Sequence, residues 1–588
     1  MRIASSSRAI QTDEVMQETV TQGSSMRYLK GFLVFALIFC GYDLTFSHHY
    51  DDALTAATEL QGHFIQGPLS LVEFRHFVNH LWPYWLFVFF HWFKFHVSAI
   101  QLLHVWDLAT ASAAVMLVYC ALQEIAAQRY FAFAGAFAYA TAHCVWLYSG
   151  TGRLYSTSML FAVAAYYVAF QVQKRHGSII RLALPVVAAA FVCFASYFWL
   201  EHVFNAAAIG VMLLLLPTDG TWAQRIKNVI TYVATGVCLT LVMGVSCLRY
   251  VNVPLTRSGL QTWIAGSGTQ PIQFGVRGLM AAAYGQADGI LATPNLLYVV
   301  HGRLLKDPAM AGLGSFAWQF AKFALVWLLL LLAYIYPWTM FRRANSFQKA
   351  LILSLYVPVA INMLFGLGWL GTDVQRFLPA LFPQLCLAVL SLQDWISRTA
   401  RPRFLATCVV AALVVVAGVN LLEVELPTQR DYIVLEEQMK DIQPYVHSAD
   451  IFVTFGKDID NTYSTMAMHY TGASYLSLSN DAASYDWDVS DWKSRFETLW
   501  RETRERGGRV FVMDRLVSGF YPASAAWSER QHPRPTIKEY SRFLEIEFCP
   551  TPAFYLGNAQ YYDVKSRSAN CGLADASRLE KVTTIDFR

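Results

Sequence analysis

The sequence predicts an α-helical polytopic membrane protein of about eleven transmembrane helices, followed by a small α/β domain at its C-terminal end. Three observations carry that expectation: an apolar composition, a series of segments long enough to span a bilayer, and a hydrophilic stretch from residue 427 onward with strand-like and helix-like runs. Of 588 residues, 55% are hydrophobic and 15% charged, with mean hydropathy +0.35. A soluble protein of this size would have to expose large apolar patches. The net charge is +4, and the 45 Lys and Arg are spread through the chain rather than gathered in one stripe, which argues against nucleic acid as a partner.

Residues 1–28 are polar and lack the apolar core and small-residue cleavage site of a removable signal, so they read as a cytoplasmic tail. Spans are expected at 29–47, 97–122, 130–148, 156–172, 179–199, 202–217, 229–251, 315–337, 349–368, 377–394 and 404–425. The segment 80–96 is short, opens around Pro83 and is crowded with Trp and His. It suits an interfacial or re-entrant helix.

Basic residues fix the orientation, because short cytoplasmic loops hold the Lys and Arg. With 80–96 left out of the spans, the inside loops contain Arg129, then Lys174, Arg175 and Arg181, then Arg225 and Lys227. Arg342, Arg343 and Lys349 follow, and then Arg398, Arg401 and Arg403. Counting 80–96 as a span would put these clusters outside. The expected organisation is therefore a tail 1–28, a transmembrane domain 29–426 with outer loops 48–96 and 252–314, and an extracytoplasmic α/β domain 427–588.

In that last domain, Ile451–Phe455 and Val510–Met513 are strand-like and Asp491–Arg506 is helix-like, with no Gly-rich phosphate loop. Eight of the ten cysteines lie in or beside apolar runs; Cys549 and Cys571 lie in the tail and are expected to pair in an oxidising compartment. No N-x-S/T sequon occurs, which agrees with a bacterial inner membrane.

Candidate chemistry concentrates on the outer face. Asp51 and Asp52 follow the first span at the membrane surface, where desolvation and mutual repulsion can raise one carboxyl into the range of a useful base. The same pair also fits a helix start, since Asp before Ala-Leu is a common cap. His is dense nearby, at His48, His49, His63, His76, His80, His91, His96 and His104, without an HExxH pattern. Among charges in the apolar segments, Asp107 lies about ten residues into the second span and should face protein or a wet cavity. Asp43, Glu201 and Lys322 lie near outer ends; Asp43 can reach water there, and Glu201 and Lys322 are expected to snorkel.

The order of features resembles the GT-C superfamily of polyprenyl-phosphate-sugar-dependent membrane glycosyltransferases, such as the protein mannosyltransferases and aminoarabinose transferases. An inside-to-outside span is followed by Asp51-Asp52, an amphipathic stretch ending at Gly62, and His80-Leu81-Trp82-Pro83. These stand where the family has an acidic pair and a His-Pro-Pro-Leu-like motif. Thr151 to Val168 is similar to the second outer loop and following span, with Arg153 and Tyr155 at the usual Arg and Tyr places. Gly371 to Leu390 is similar to a late motif, with Arg376, Phe377, Pro379 and Pro383.

The resemblance implies an inverting transfer of a sugar from a lipid carrier to a glycan, lipid or protein acceptor. Asp51 would be the base and Asp52 its orienting partner, or the reverse. Arg376 first and Arg153 second would meet the departing phosphate, with Tyr155 and His80 lining the substrate site. Many family members also hold a divalent metal with an acidic residue of the second outer loop, but SGTGRLYS has none; a divalent metal ion stays open as a cofactor, with the dense His of the first loop as the alternative source of ligands and no metal ligand assigned. The rival class is a polytopic lipid or glycolipid transporter or flippase. Such a protein should show internal repeats and polar paths near the bilayer midplane, whereas here the polar residues crowd the outer face.

Overall fold

The computed structural model describes residues 31–46, 53–54, 56–57, 60, 77–78, 81–95, 97–126, 128–174, 178–216, 221–250, 252–266, 275–293, 313–368, 374–454, 466–477, 492–519, 536–556 and 559–567. The chain divides into two compact units. One is built from 1–49, 59–297 and 311–429, the other from 50–58, 298–310 and 430–588.

In the first unit, each of the eleven apolar segments coincides with helix. In chain order these are α1 (Gly31–Leu44), then, after the short α2 (Leu81–Trp92), α3 (Ala99–Ile125), α4 (Arg129–Thr141), α5 (His143–Leu147), α6 (Tyr155–Lys174), α7 (Ser178–Phe198) and α8 (Val203–Leu215). Next come α9 (Trp222–Tyr250), the shorter α10 (Arg257–Gly266) and α11 (Val276–Asp288), and then α12 (Leu313–Phe341), α13 (Ser346–Gly368), α14 (Leu378–Arg398) and α15 (Pro402–Asn420). Six described helices are long and apolar enough to cross a membrane and three more are shorter and apolar. The chain is an integral membrane protein.

The segment 80–96 forms α2, of 12 residues. At 1.5 Å per residue it measures about 18 Å, short of a hydrocarbon core of about 30 Å. The expected span 130–148 is broken into α4 and α5 at Ala142, which is extended. The backbone freed by that break is satisfied inside the protein: His143 N donates to the Ile290 carbonyl at 3.1 Å and Cys144 N to Gly289 at 2.9 Å. Irregular backbone at membrane depth is tolerated only when buried and bonded in this way.

Two sequence expectations are corrected here. Glu201 and Lys322 do not snorkel: each is buried, Glu201 paired with Arg376 and Lys322 Nζ 2.6 Å from Glu423 Oε2. Their positions near helix ends suggested a route to water, but a partner inside the protein satisfies each charge instead. Asp107 does face protein.

α15 runs through a π-helical turn at Leu421–Glu425 into α16 (Leu426–Ile442). The second unit holds a five-stranded sheet in the order β2-β1-β3-β5-β4, with β1 (Ile451–Thr454), β2 (Ser474–Ser477), β3 (Val510–Met513), β4 (Phe548–Leu556) and β5 (Ala559–Ser566). β1 pairs in parallel with β2 and β3, while β3–β5 and β5–β4 are antiparallel. β1 and β3 are buried along their whole length, which is why they read as unbroken apolar runs rather than alternating ones. One face packs on α17 (Trp492–Glu505) and, beyond the short α18 (Asp514–Ser518), on α19 (Ile537–Glu547) through Phe496, Tyr540 and Phe543. On the sheet itself Phe452, Phe511, Phe554 and Tyr561 form an aromatic cluster.

Cys549 on β4 is disulfide-bonded, whereas the eight cysteines of the membrane part are free. Cys571, its expected partner, lies outside the described residues.

Candidate active site

Three connections between apolar helices bring polar residues together at one end of the bundle. They follow the third, fifth and ninth apolar segments, so an alternating path places all three on the same side.

The first connection, residues 148–154, leads into α6 and carries Arg153. Its backbone is unusual: Gly152 has φ +84° and Leu154, a residue with a β-carbon, has φ +58°. A left-handed non-glycine residue costs on the order of 1–3 kcal/mol and persists only where its surroundings over-determine it. Here α3 does so. His104, Asp107 and Thr110 recur every third residue and so share one face of that helix. His104 Nδ1 donates to the Gly150 carbonyl at 2.8 Å. Asp107 Oδ2 accepts from Gly152 N at 2.7 Å and Leu154 N at 3.3 Å, and its Oδ1 accepts from the Ser156 hydroxyl. Thr110 Oγ1 lies 2.8 Å from Ser156 Oγ. The approach is close, since a β-carbon at Gly150 would stand 2.9 Å from the Phe46 ring and 3.2 Å from His104.

The second connection is the 3-10 turn Leu200–His202 with Trp199 before it. The third is the 3-10 turn Val374–Phe377, whose four residues are all buried. These two meet through Arg376, which is 3% exposed and ion-paired with Glu201. Its guanidinium lies 5.0 Å from the centre of the Trp199 ring, and the Asn362 amide donates to its carbonyl at 2.6 Å.

Arg153 joins the same cluster. Its Nη1 donates to the Gln375 side-chain oxygen at 3.3 Å, and its guanidinium lies 5.7 Å from the Tyr155 ring centre. Tyr155 stands edge-on to Trp199 at 4.8 Å and to Tyr148 at 4.9 Å. Two cations more than 220 residues apart in the chain are thus held within one aromatic and polar cluster.

Among the sequence candidates, Arg153, Tyr155 and Arg376 are therefore brought together. Asp51, Asp52 and His80 lie outside the described residues. Sequence reasoning missed three members of the cluster: Trp199, Gln375 and the pairing role of Glu201. An acidic residue two positions after Trp199, at the end of an apolar segment (FWLEH), was the available signal for Glu201, since a charge at that depth needs a partner.

Among the described residues, no group of three or more His, Cys, Asp and Glu is placed to hold a metal ion. The 149–156 loop carries no carboxylate, so it offers no ligand where the family resemblance would put one.

No protein-family model and no curated protein matches the sequence. Solved structures do resemble the fold. ArnT from Cupriavidus metallidurans in the apo state matches with TM-score 0.54 and 11% identity, over 93% of this chain and 98% of its own. The same protein bound to undecaprenyl phosphate matches with TM-score 0.51 and 12% identity, over 94% and 99%. The archaeal oligosaccharyltransferase AglB from Archaeoglobus fulgidus reaches 0.49 at 10% identity, over 92% and 75%. The chain is a polytopic membrane protein whose fold is similar to that of ArnT.

Proposed function

We propose that the chain is an inverting glycosyltransferase that moves a sugar from a polyprenyl-phosphate carrier to an acceptor on the outer face of the membrane. The observation that carries this reading is the convergence of Arg153 and Arg376 in one cluster at one end of an apolar bundle. The ArnT fold, in a protein solved with undecaprenyl phosphate, supports it.

The chemistry asks for few parts. The acceptor hydroxyl attacks the anomeric carbon while the bond from that carbon to the phosphate oxygen breaks, and the bonding electrons leave with the phosphate. Asp51 takes the acceptor's proton, with Asp52 orienting the acceptor; the two roles are exchangeable within the pair. Negative charge grows on the phosphate, so fixed cations beside it are worth most in the transition state.

Both arginines serve that growing charge: Arg376, paired with Glu201, and Arg153, bonded to the Gln375 amide, each contact the phosphate from beside the Trp199 and Tyr155 rings.

The carrier's tail explains why the site belongs in a membrane protein. Pulling a polyprenyl chain from the bilayer costs about 0.8 kcal/mol per buried methylene, so the phosphate has to be met at the interface. Binding of undecaprenyl phosphate to the purified protein tests the reading. Affinity should fall about 10- to 100-fold in Arg153→Ala, the worth of a charge-assisted hydrogen bond. Wild-type protein that binds undecaprenyl phosphate no better than an uncharged polyprenol would contradict it.

A further inference from the structure

The cluster described above uses Arg153 but leaves unexplained the buried carboxylate beneath it. Asp107 is 0% exposed and sits inside a helix long enough to span. A buried charge is retained only when its bonds are met, and those of Asp107 are met within one five-residue stretch, 152–156. Its acceptor bonds go to the backbone N–H groups of Gly152 and Leu154, the residues on either side of Arg153, and to the hydroxyl of Ser156, the residue after Tyr155. The two bracketing residues are the left-handed ones. His104 and Thr110, one turn to each side on α3, hold the same stretch at Gly150 and Ser156.

We propose that Asp107, aided by His104 and Thr110, is a positioning residue: it locks the 150–156 loop in the left-handed conformation that presents Arg153 to the carrier phosphate, without touching substrate itself. This rests on the phosphate contact assigned to Arg153 above. Free of that anchor, Leu154 would relax out of φ +58°, because a β-branched or γ-branched side chain gains nothing from that region. The Arg153 guanidinium would then leave Gln375 and Tyr155. A bare packing role would not need a carboxylate aimed at the two amides that flank the functional cation.

The test uses full-length protein and two independent readouts. Hydrogen–deuterium exchange over residues 150–156 reports the loop directly, whatever the protein's activity. Exchange should accelerate in Asp107→Ala, lie between in Asp107→Asn, and stay unchanged in Ser112→Ala, whose hydroxyl donates to the Leu108 carbonyl within the same helix. Undecaprenyl phosphate affinity reports the consequence. Asp107→Ala should weaken binding as much as Arg153→Ala, about 10- to 100-fold, and the double variant should be no weaker than Arg153→Ala alone, as expected when two residues act through one contact. Asp107→Asn should give an intermediate affinity, and it carries the test where Asp107→Ala does not fold. Unchanged exchange in both Asp107 variants overturns the proposal regardless of ligand. Faster exchange with wild-type affinity, or a double variant weakened by the product of the single effects, overturns it too. Wild-type affinity in Arg153→Ala with accelerated exchange in Asp107→Ala instead overturns the phosphate role of Arg153 and leaves the loop anchor standing.

Discussion

Among the described residues, two carboxylates of the membrane part are fully buried, Asp107 on α3 and Glu425 in the π-helical turn, and their surroundings differ. Asp107 accepts from two backbone amides and a hydroxyl. Glu425 accepts no hydrogen bond of ordinary length among the described residues, and its Oε1 lies 3.6 Å from His143 Nδ1, an ion pair when that imidazole is protonated. Glu201 is a third case, held by the Arg376 cation. Equal burial therefore conceals three kinds of dependence: a carboxylate that fixes backbone, one that needs a cation, and one that a neutral group could replace. The loop at Asp107 is held through two backbone amides that share one carboxylate oxygen. The turn at Glu425 is a place where α15 widens for one turn, a feature that recurs at functional sites.

The largest effect should come from breaking the cation-held pair. Arg376→Ala leaves Glu201 buried without its cation, at a cost of about 3–5 kcal/mol, and thermal unfolding should drop by many degrees. Replacing both partners with apolar residues of similar volume, Arg376→Met with Glu201→Leu, should recover most of that stability. A double variant as unstable as Arg376→Ala would show that the pair does more than neutralise itself.

Asp107→Ala comes next, because each buried donor left unbonded costs about 1–3 kcal/mol and the Ser156 hydroxyl can still turn to Thr110. Its unfolding temperature should fall clearly while Thr110→Ala falls little. Equal losses in the two would place the anchor in the hydroxyl pair rather than in the carboxylate.

The smallest effect is expected at Glu425→Gln. Glu425 is met among the described residues by the 3.6 Å approach of His143 rather than by a hydrogen bond of ordinary length, so the neutral, nearly isosteric amide should cost little, since it leaves no buried carboxylate to compensate. A loss comparable to that of Asp107→Ala would mean that Glu425 and His143 share a bond the comparison has undervalued.

The membrane bundle was legible because hydrocarbon imposes length and apolarity on each segment, and the strands β1 and β3 because both faces are covered. The break at Ala142 was not, since what permits it is the contact of His143 and Cys144 with the distant Gly289–Ile290 backbone. In the site, Arg153, Tyr155 and Arg376 were reached through the family resemblance, as positions matching its motifs. Gln375 and Trp199 were not, being ordinary residues whose importance comes only from touching those three. Asp107 was visible as a charge in a span, but its hold on Gly152 and Leu154 was hidden, because an acceptor of backbone N–H leaves no partner in the sequence pattern.

The central claim is lipid-linked sugar transfer with a base in the Asp51-Asp52 pair, and single-turnover discharge of labelled sugar from a panel of undecaprenyl-phosphate sugars tests it most directly. Wild-type protein should discharge at least one donor to an acceptor, and Asp51→Asn should slow that step by about 10²- to 10⁴-fold, the contribution of a positioned general base, while undecaprenyl phosphate still binds. Loss in Asp52→Asn alone would exchange the two roles. Discharge at the wild-type rate in both Asp51→Asn and Asp52→Asn would contradict the account.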